Sequence, residues 1–229
     1  MATIKEIVYS ILNTQAGGRL SKDNPLAERL VKFWVQSYRG VFFKRSVEKH
    51  GTISPEWEQS LGVLALERAD KSEHATFPTG MKFLRTVETL PKFLRMSNGD
   101  PAITFVGSID QETSFELITP DRMVFVPYDK FTYSPYAFYL KNRIYLNEDC
   151  NLFKINLRGV PEDPITLHNF SNVEGESCFD EDTDIYPVPT DYIPLIEEEI
   201  INKKIKPLLG LGMDKDNDAS SLKQPDIKG

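Results

Sequence analysis

The sequence predicts an α+β protein in which helices from both ends of the chain form a bundle that carries an inserted antiparallel β region. Apolar residues follow a helical period near the N-terminus, short β-branched and aromatic runs come next, and helical periodicity returns near the C-terminus. We divide the 229 residues into four parts: an N-terminal helical part at 1–75, the β region at 76–170, an acidic connection with the C-terminal helix at 171–207, and an extended tail at 208–229.

The first helix opens with a capping box in "TIKE". The hydroxyl of Thr3 can accept a hydrogen bond from the first helical turn, while the carboxylate of Glu6 reaches back to the cap. Apolar residues then recur at i, i+3, i+4 and i+7, which indicates one buried helix face: Ile4, Ile7, Val8 and Ile11.

Two further helices are predicted before residue 75. The stretch "NPLAERLVKFWVQSYRGVFFKR" presents one broad apolar face, which we expect to point inward: Leu26, Leu30, Phe33, Trp34, Ser37, Tyr38, Val41 and Phe42. The stretch "SPEWEQSLGVLALERADKSE" begins at a Ser54 cap and has inward residues at helical spacing: Trp57, Leu61, Leu64 and Ala65.

The β region contains five short strand-like runs: "AITFVGSI", "FELIT", "MVFV", "YAFYLKNRIYL" and "LFKINLRGV". The fourth run predicts a hairpin whose two-residue turn is Lys141-Asn142, because Asn tolerates a positive φ. We expect residues 76–96, which precede these runs, to be irregular because they contain Pro78, Gly80 and Pro91.

The C-terminal helix lies in "TDYIPLIEEEIINKKIKPLLG", where isoleucines form an apolar stripe: Ile193, Ile196, Ile200, Ile201 and Ile205. The tail from residue 208 onward is polar, with scattered apolar residues that include Leu211, Met213 and Leu222. Fixing a residue costs about 1–2 kcal/mol of conformational entropy. We therefore expect this tail to become ordered only against an adjacent copy or ring.

Four acids stand within five positions of "CFDEDTDIYPVP", at residues 180–184. The spacing of Asp180, Asp182 and Asp184 matches the first three ligands of a calcium loop, but Ile185 stands where the sharp turn needs glycine. The strip is therefore interpreted as a solvated loop or a loop that meets basic residues of another copy. The alternative function is a soluble ligand- or cation-binding module that uses this loop.

The net charge of −7 is unevenly distributed along the chain. Residues 1–100 carry 15 Lys and Arg against 11 Asp and Glu, whereas residues 101–229 carry 12 against 23. Two regions of opposite net charge favour head-to-tail contact between copies of the chain. The basic run on the second helix indicates either a face for an acidic partner or phosphate, or the solvated side of an amphipathic helix. The hypothetical subunit interface comprises Lys32, Arg39, Lys44, Arg45, Asp180, Asp182, Asp184, Leu211, Met213 and Leu222.

The sequence offers no motif for catalysis, a cofactor or a metal. His50, His74 and His168 are far apart and lack zinc spacing, and neither a phosphate-binding loop nor a nucleophile motif occurs. The longest apolar run, residues 61–66, is far shorter than the roughly 20 residues of a membrane helix. We therefore predict a protein that is not an enzyme and has no membrane partner.

Sequence segments along nearly the whole chain resemble those of one protein family. They include "IKEIVYSILN", "DNPLAERLVKFWVQSYRGVFFKR", "TVETLPKFLR", "FELITPDRMVFV", "KFTYSPYAFYLKNRIYL" and "YPVPTDYIPLIEEEI". The chain resembles the structural ring proteins of crAss-like bacteriophages, which build the neck and barrel between portal and tail. More distantly, it is similar to the head-to-tail adaptors of short-tailed phages, in which a helical bundle carries an inserted β region.

This resemblance implies a virion structural protein without catalytic residues. It implies a ring of identical copies that matches a twelvefold portal, contacts the portal or neighbouring ring and tail proteins, and surrounds DNA without reading its sequence. It also implies assembly in the host cytoplasm and a final location in the neck or tail of the virion.

Overall fold

A computed structural model describes residues 2–16, 27–69, 82–122, 135–147, 152–170, 175 and 177–208. The described chain has a mixed α/β fold. Its helices are α1 (Ile4–Gln15), α2 (Glu28–His50), α3 (Ile193–Ile200) and α4 (Lys206–Leu208). Its strands are β1 (Gln59–Arg68), β2 (Phe83–Thr86), β3 (Ile103–Gly107), β4 (Glu116–Leu117), β5 (Tyr136–Leu140), β6 (Arg143–Asn147) and β7 (Lys154–Gly159).

These strands form one seven-stranded sheet in the order β3-β7-β1-β2-β6-β5-β4. Neighbouring strands run antiparallel, except that β4 pairs with β5 in parallel. The two edge strands, β3 and β4, are consecutive in the chain and are joined by a turn. There the N–H of Phe115 donates to the carbonyl of Val106 at 2.8 Å, and the N–H of Ser108 donates to Thr113 at 2.9 Å. The sheet therefore curls until its edges meet.

One core connects the helices to the sheet. It contains buried residues of α1, α2 and α3 together with one face of the sheet, for example Ile11, Val35, Leu64, Ile144 and Ile200. Helices α1, α2 and α3 contact one another, as the sequence predicts. The predicted combination of helices and an antiparallel region is confirmed in part, because the helices pack on a seven-stranded sheet and do not form a bundle that carries an inserted β region.

Helix α1 begins as the sequence predicts. The backbone N–H of Thr3 donates to the Glu6 carboxylate at 2.9 Å, and the N–H of Glu6 donates to the Thr3 hydroxyl at 3.3 Å. The reciprocal bonds satisfy donors that the first helical turn leaves without partners. Residues Ile4, Ile7, Val8 and Ile11 are buried, so the predicted face is confirmed.

The predicted third helix is wrong. A single 3₁₀ turn at Pro55–Trp57 leads directly into β1, whose residues 66–68 pair with β2 and whose residues 59–65 pair with β7. A β-bulge at Gly62, where φ is 69°, inserts one extra residue. The bulge buries both Leu61 and Leu64, so a strand imitates the i, i+3 spacing of a helix.

Strand β2 lies in the stretch 76–96 that was predicted to be irregular, so that prediction is wrong for residues 83–86. Residues Phe83–Thr86 pair on both sides, with β1 and with β6. The strand fits between Gly80 and Pro91, and four residues are too few to show an alternating pattern in the sequence. The predicted strand "MVFV", at 123–126, lies outside the described residues.

The predicted hairpin is confirmed. Strands β5 and β6 pair with Leu140 opposite Arg143 and Tyr139 opposite Ile144. Lys141 and Asn142 both have positive φ, 48° and 61°, as a two-residue hairpin turn requires. The Tyr139 hydroxyl donates to Oδ1 of Asn142 at 2.9 Å, which ties the turn to the strand before it.

The C-terminal helix widens after α3 into a π-helical segment at Ile201–Ile205, and α4 follows it. A π turn contains more residues than an α turn. Ile200 and Ile205 are therefore both buried although they lie five positions apart. Ile196 shares this burial, so these three members of the predicted stripe face the core.

Arg39 joins the helices to the sheet from the centre of α2. Its side chain is fully buried and donates to three backbone carbonyls: Pro161 at 2.7 Å, Pro187 at 3.0 Å and Trp57 at 3.4 Å. The guanidinium carbon lies 5.9 Å from the ring centroids of both Trp57 and Tyr186. Burial lowers the pKa of this guanidinium to about 10, so it stays charged at neutral pH.

We predict that Arg39→Met lowers the free energy of unfolding by about 3–5 kcal/mol, because it leaves buried carbonyls without donors. Lys44→Met is the matched control, since Lys44 is exposed on the same helix. Its effect should stay within about 0.5 kcal/mol. Urea denaturation followed by circular dichroism measures both. Equal stabilities of the two variants would show that the Arg39 contacts do not hold the fold.

We predict that Asn142→Val lowers the free energy of unfolding by roughly 1–2 kcal/mol, because a β-branched residue is strained at positive φ. Asn142→Asp is the control, since Asp tolerates that conformation and keeps an oxygen that can accept from Tyr139. Thermal melting compares the two variants. If the two variants have the same melting temperature, the backbone conformation of this turn does not limit stability.

Candidate subunit interface

The acidic loop at residues 180–184 is folded on itself. Both oxygens of Asp180 accept hydrogen bonds, Oδ1 from the N–H of Asp182 at 3.0 Å and Oδ2 from the hydroxyl of Thr183 at 3.2 Å. Oδ2 of Asp184 accepts from the N–H of Asp180 at 2.7 Å. The hydrogen bond from Asp182 is the main reason that the pKa of Asp180 lies below its ordinary value.

Two lysines tie this loop to the N-terminal helices. Lys5 of α1 forms a salt bridge with Asp182, and that hydrogen bond raises the pKa of the lysine. Nζ of Lys32 on α2 lies 2.6 Å from Oε2 of Glu181 and 3.4 Å from Oε1 of Glu28. Burial opposes the charge of Lys32, but the bond to Glu181 and the nearby negative charges outweigh it and raise its pKa.

The acids of the loop therefore have partners within their own chain. Among the residues that the structure describes, no group of three or more His, Cys, Asp or Glu side chains is placed to hold a metal ion. The carboxylates of Asp180 and Asp184 bind local donors instead of converging on one point. Contact between this loop and a neighbouring copy stays a prediction.

The four basic residues of α2 in the predicted interface lie in different surroundings. Lys32 points to the acidic loop and Arg39 is fully buried. For Arg39, both the partner-face and the solvated-side interpretation are wrong, because its guanidinium binds three internal carbonyls. Lys44 and Arg45 are the two of these four residues that are exposed, so a partner can reach them directly.

Lys44 and Arg45 border two separate grooves. Lys44 lines a groove of about 390 Å³ whose floor includes Phe93, Pro101 and Tyr139. The guanidinium carbon of Arg45 lies 5.3 Å from the ring centroid of Phe42. Arg45 lines a second groove, of about 300 Å³, between α2 and α3.

An apolar line that was expected to point inward instead lies on the outside of α2. Leu30, Phe33, Ser37 and Val41 follow the i, i+3, i+7, i+11 spacing of one helix face, and all four are exposed. We call these four residues the outer α2 stripe. The exposed fractions are 36% for Leu30, 61% for Phe33 and 43% for Val41. The buried face of α2 consists of Val31, Trp34, Val35, Arg39, Phe42, Phe43 and Ser46.

The sequence contains a signal for this second face. Apolar residues surround more of α2 than a single buried face can use, and such a helix is covered on several sides. The predicted interface residues Leu211, Met213 and Leu222 lie outside the described residues, so their role stays a prediction. Within the described part of the chain, no helix combines the length and apolar character needed to cross a membrane.

Comparison with known proteins gives one family. No curated protein matches the chain. A family model described as phage tail ring protein 2, of the crAss phages, matches residues 6–227. This match covers every helix and strand described above except the first two residues of α1. The chain therefore belongs to the crAss-like phage tail ring protein 2 family, whose members are structural ring proteins of the virion tail.

Proposed function

We propose that this protein is a non-enzymatic ring subunit that joins the portal to the tail and surrounds the DNA channel. The observation that carries the proposal is the match to a tail ring family over residues 6–227. Identical copies form the ring, and their number equals the twelvefold symmetry of the portal. The ring extends the portal channel and gives later tail proteins a surface on which to dock.

The fold suits a mechanical role. Helices and sheet share one core, and Arg39 holds together three segments that lie far apart in sequence. A subunit built in this way transmits force between neighbours without rearranging, because packed interiors have low compressibility. Exposed Lys44 and Arg45, the acidic loop at 180–184 and the tail at 208–229 are the proposed regions of contact.

The net negative charge of the chain supports the proposal that DNA passes through the ring without tight binding of its phosphates. The net charge is −7, whereas a protein that binds the phosphate backbone needs clustered Lys and Arg. Several of its cations already have partners within the chain, Lys5 and Lys32 among them. We therefore propose that DNA contacts the ring without sequence-specific binding.

We predict that the purified protein forms rings when its portal protein is added, because the portal supplies the template that sets the copy number. Mass photometry of the chain alone, the portal alone and the mixture measures this assembly. The mixture should contain a new species whose added mass is twelve copies. A chain that never associates with the portal or with a neighbouring ring protein would contradict the proposed function.

We also predict that the acidic loop binds calcium no more tightly than millimolar, because Asp180 and Asp184 already accept local hydrogen bonds and Asp182 pairs with Lys5. Isothermal titration calorimetry with calcium and magnesium tests this expectation. Micromolar binding that disappears in Asp182→Asn would instead support the cation-binding module. Thr190→Ala, outside the loop, is the control variant.

A further inference from the structure

Two polar residues of α2 that lie close to Phe33 in the sequence bind other segments of the chain. Lys32 reaches to Glu181 at 2.6 Å, and Nε2 of Gln36 donates to Oδ1 of Asp163 at 2.7 Å. Both side chains bind carboxylates of these segments instead of lying over Phe33. Phe33 is the most exposed of the three apolar residues of the stripe.

The one polar member of the stripe is also satisfied. The hydroxyl of Ser37 donates to the carbonyl of Phe33 at 2.8 Å, one turn earlier in the same helix. Ser37 thus presents a small surface between two larger apolar side chains and leaves no donor that requires water. A partner can approach the helix closely here without leaving a polar group unpaired.

An exposed apolar residue also lies on α3. Leu195 is exposed and lines the groove of about 300 Å³ together with Phe42, Arg45 and Glu198. The stripe itself spans 11 residue steps, which at 1.5 Å each is about 16 Å of helix. Arg45 and Glu198 place charged groups at this groove. Charged groups beside exposed apolar residues are typical of the polar rim of a protein interface.

We propose that the outer α2 stripe is the centre of the contact with a second copy of this chain in the ring. The inference rests on the proposed function, because a ring requires each subunit to bury surface against the copies beside it. In a ring of more than two copies the contact is heterologous, so the stripe of one copy meets a different surface of the next. Phe33 is its anchor, since it is the one aromatic residue of the stripe and the most exposed of its three apolar residues.

The test compares Phe33→Asp with Phe153→Asp in the portal-templated assembly. Phe153 is 84% exposed before β7, so both variants place a carboxylate at an exposed phenylalanine. Phe33→Asp should lower the yield of rings by roughly tenfold or more, as expected for the loss of an interface anchor. Phe153→Asp should assemble normally, and both isolated variants should melt at the wild-type temperature.

The outcomes separate this inference from the function on which it rests. If the wild-type chain forms rings and Phe33→Asp does so equally well, the stripe is not the contact but the ring function stands. Equal loss in both variants would also overturn the assignment. A wild-type chain that forms no ring would overturn both the function and the inference.

A photoreactive benzoylphenylalanine at position 33 identifies the occupant of the stripe in assembled particles. Mass spectrometry of the cross-linked peptides should show a segment of the same protein outside residues 28–50. A cross-link to the portal or to another ring protein would overturn the proposal. A link between the two positions 33 would do so as well, because it would make the contact a symmetric dimer.

Discussion

The buried guanidinium of Arg39 sets the relation between the two parts of the molecule. Its three acceptors are carbonyls at element ends: Trp57 before β1, Pro161 after β7 and Pro187 before α3. Backbone groups at such ends have no partner in a regular ladder, and when buried they need one. The planar fork of arginine supplies donors in several fixed directions, which lysine cannot do.

This constraint also sets the rotation of α2 about its own axis. Because Arg39 points into the core, the residues on the other side of the helix point outward, and these are the members of the outer α2 stripe. The exposure of the apolar stripe is therefore a consequence of the contacts that Arg39 makes on the buried side of the helix. The same geometry that stabilises the single subunit exposes the surface that we assign to its neighbour.

The acidic loop shows how a dense run of carboxylates remains folded without a cation. Local N–H groups and the hydroxyl of Thr183 satisfy Asp180, while Lys5 and Lys32 neutralise its neighbours. The two lysines lie on different helices, so the loop links α1 and α2 to the segment that leads into α3. Since these ion pairs lie near the surface, each contributes little to stability alone.

Local patterns in the sequence predicted the elements that depend on neighbouring residues. The capping box of α1 and the Lys141-Asn142 turn were correct because each is decided within a few positions. The helix predicted at 54–73 failed because the bulge at Gly62 changes the period of β1, which only its pairing with β7 reveals.

The inward position of Arg39 was not predictable for a related reason. A buried arginine is rare, and its three acceptors are 18, 122 and 148 residues away in the sequence. Because Arg39 points inward, the outer α2 stripe points outward. The expectation from the sequence that the stripe faces the core was therefore wrong. The excess of apolar residues around α2 was visible, but which of them face the core depends on long-range contacts.

A reconstruction of the intact virion tail by electron cryomicroscopy tests the central claim most directly. We expect a closed ring of this chain in which the outer α2 stripe of each copy is covered by the next copy around the channel. A tail in which this chain is absent, or a ring in which Phe33 faces solvent, would contradict it.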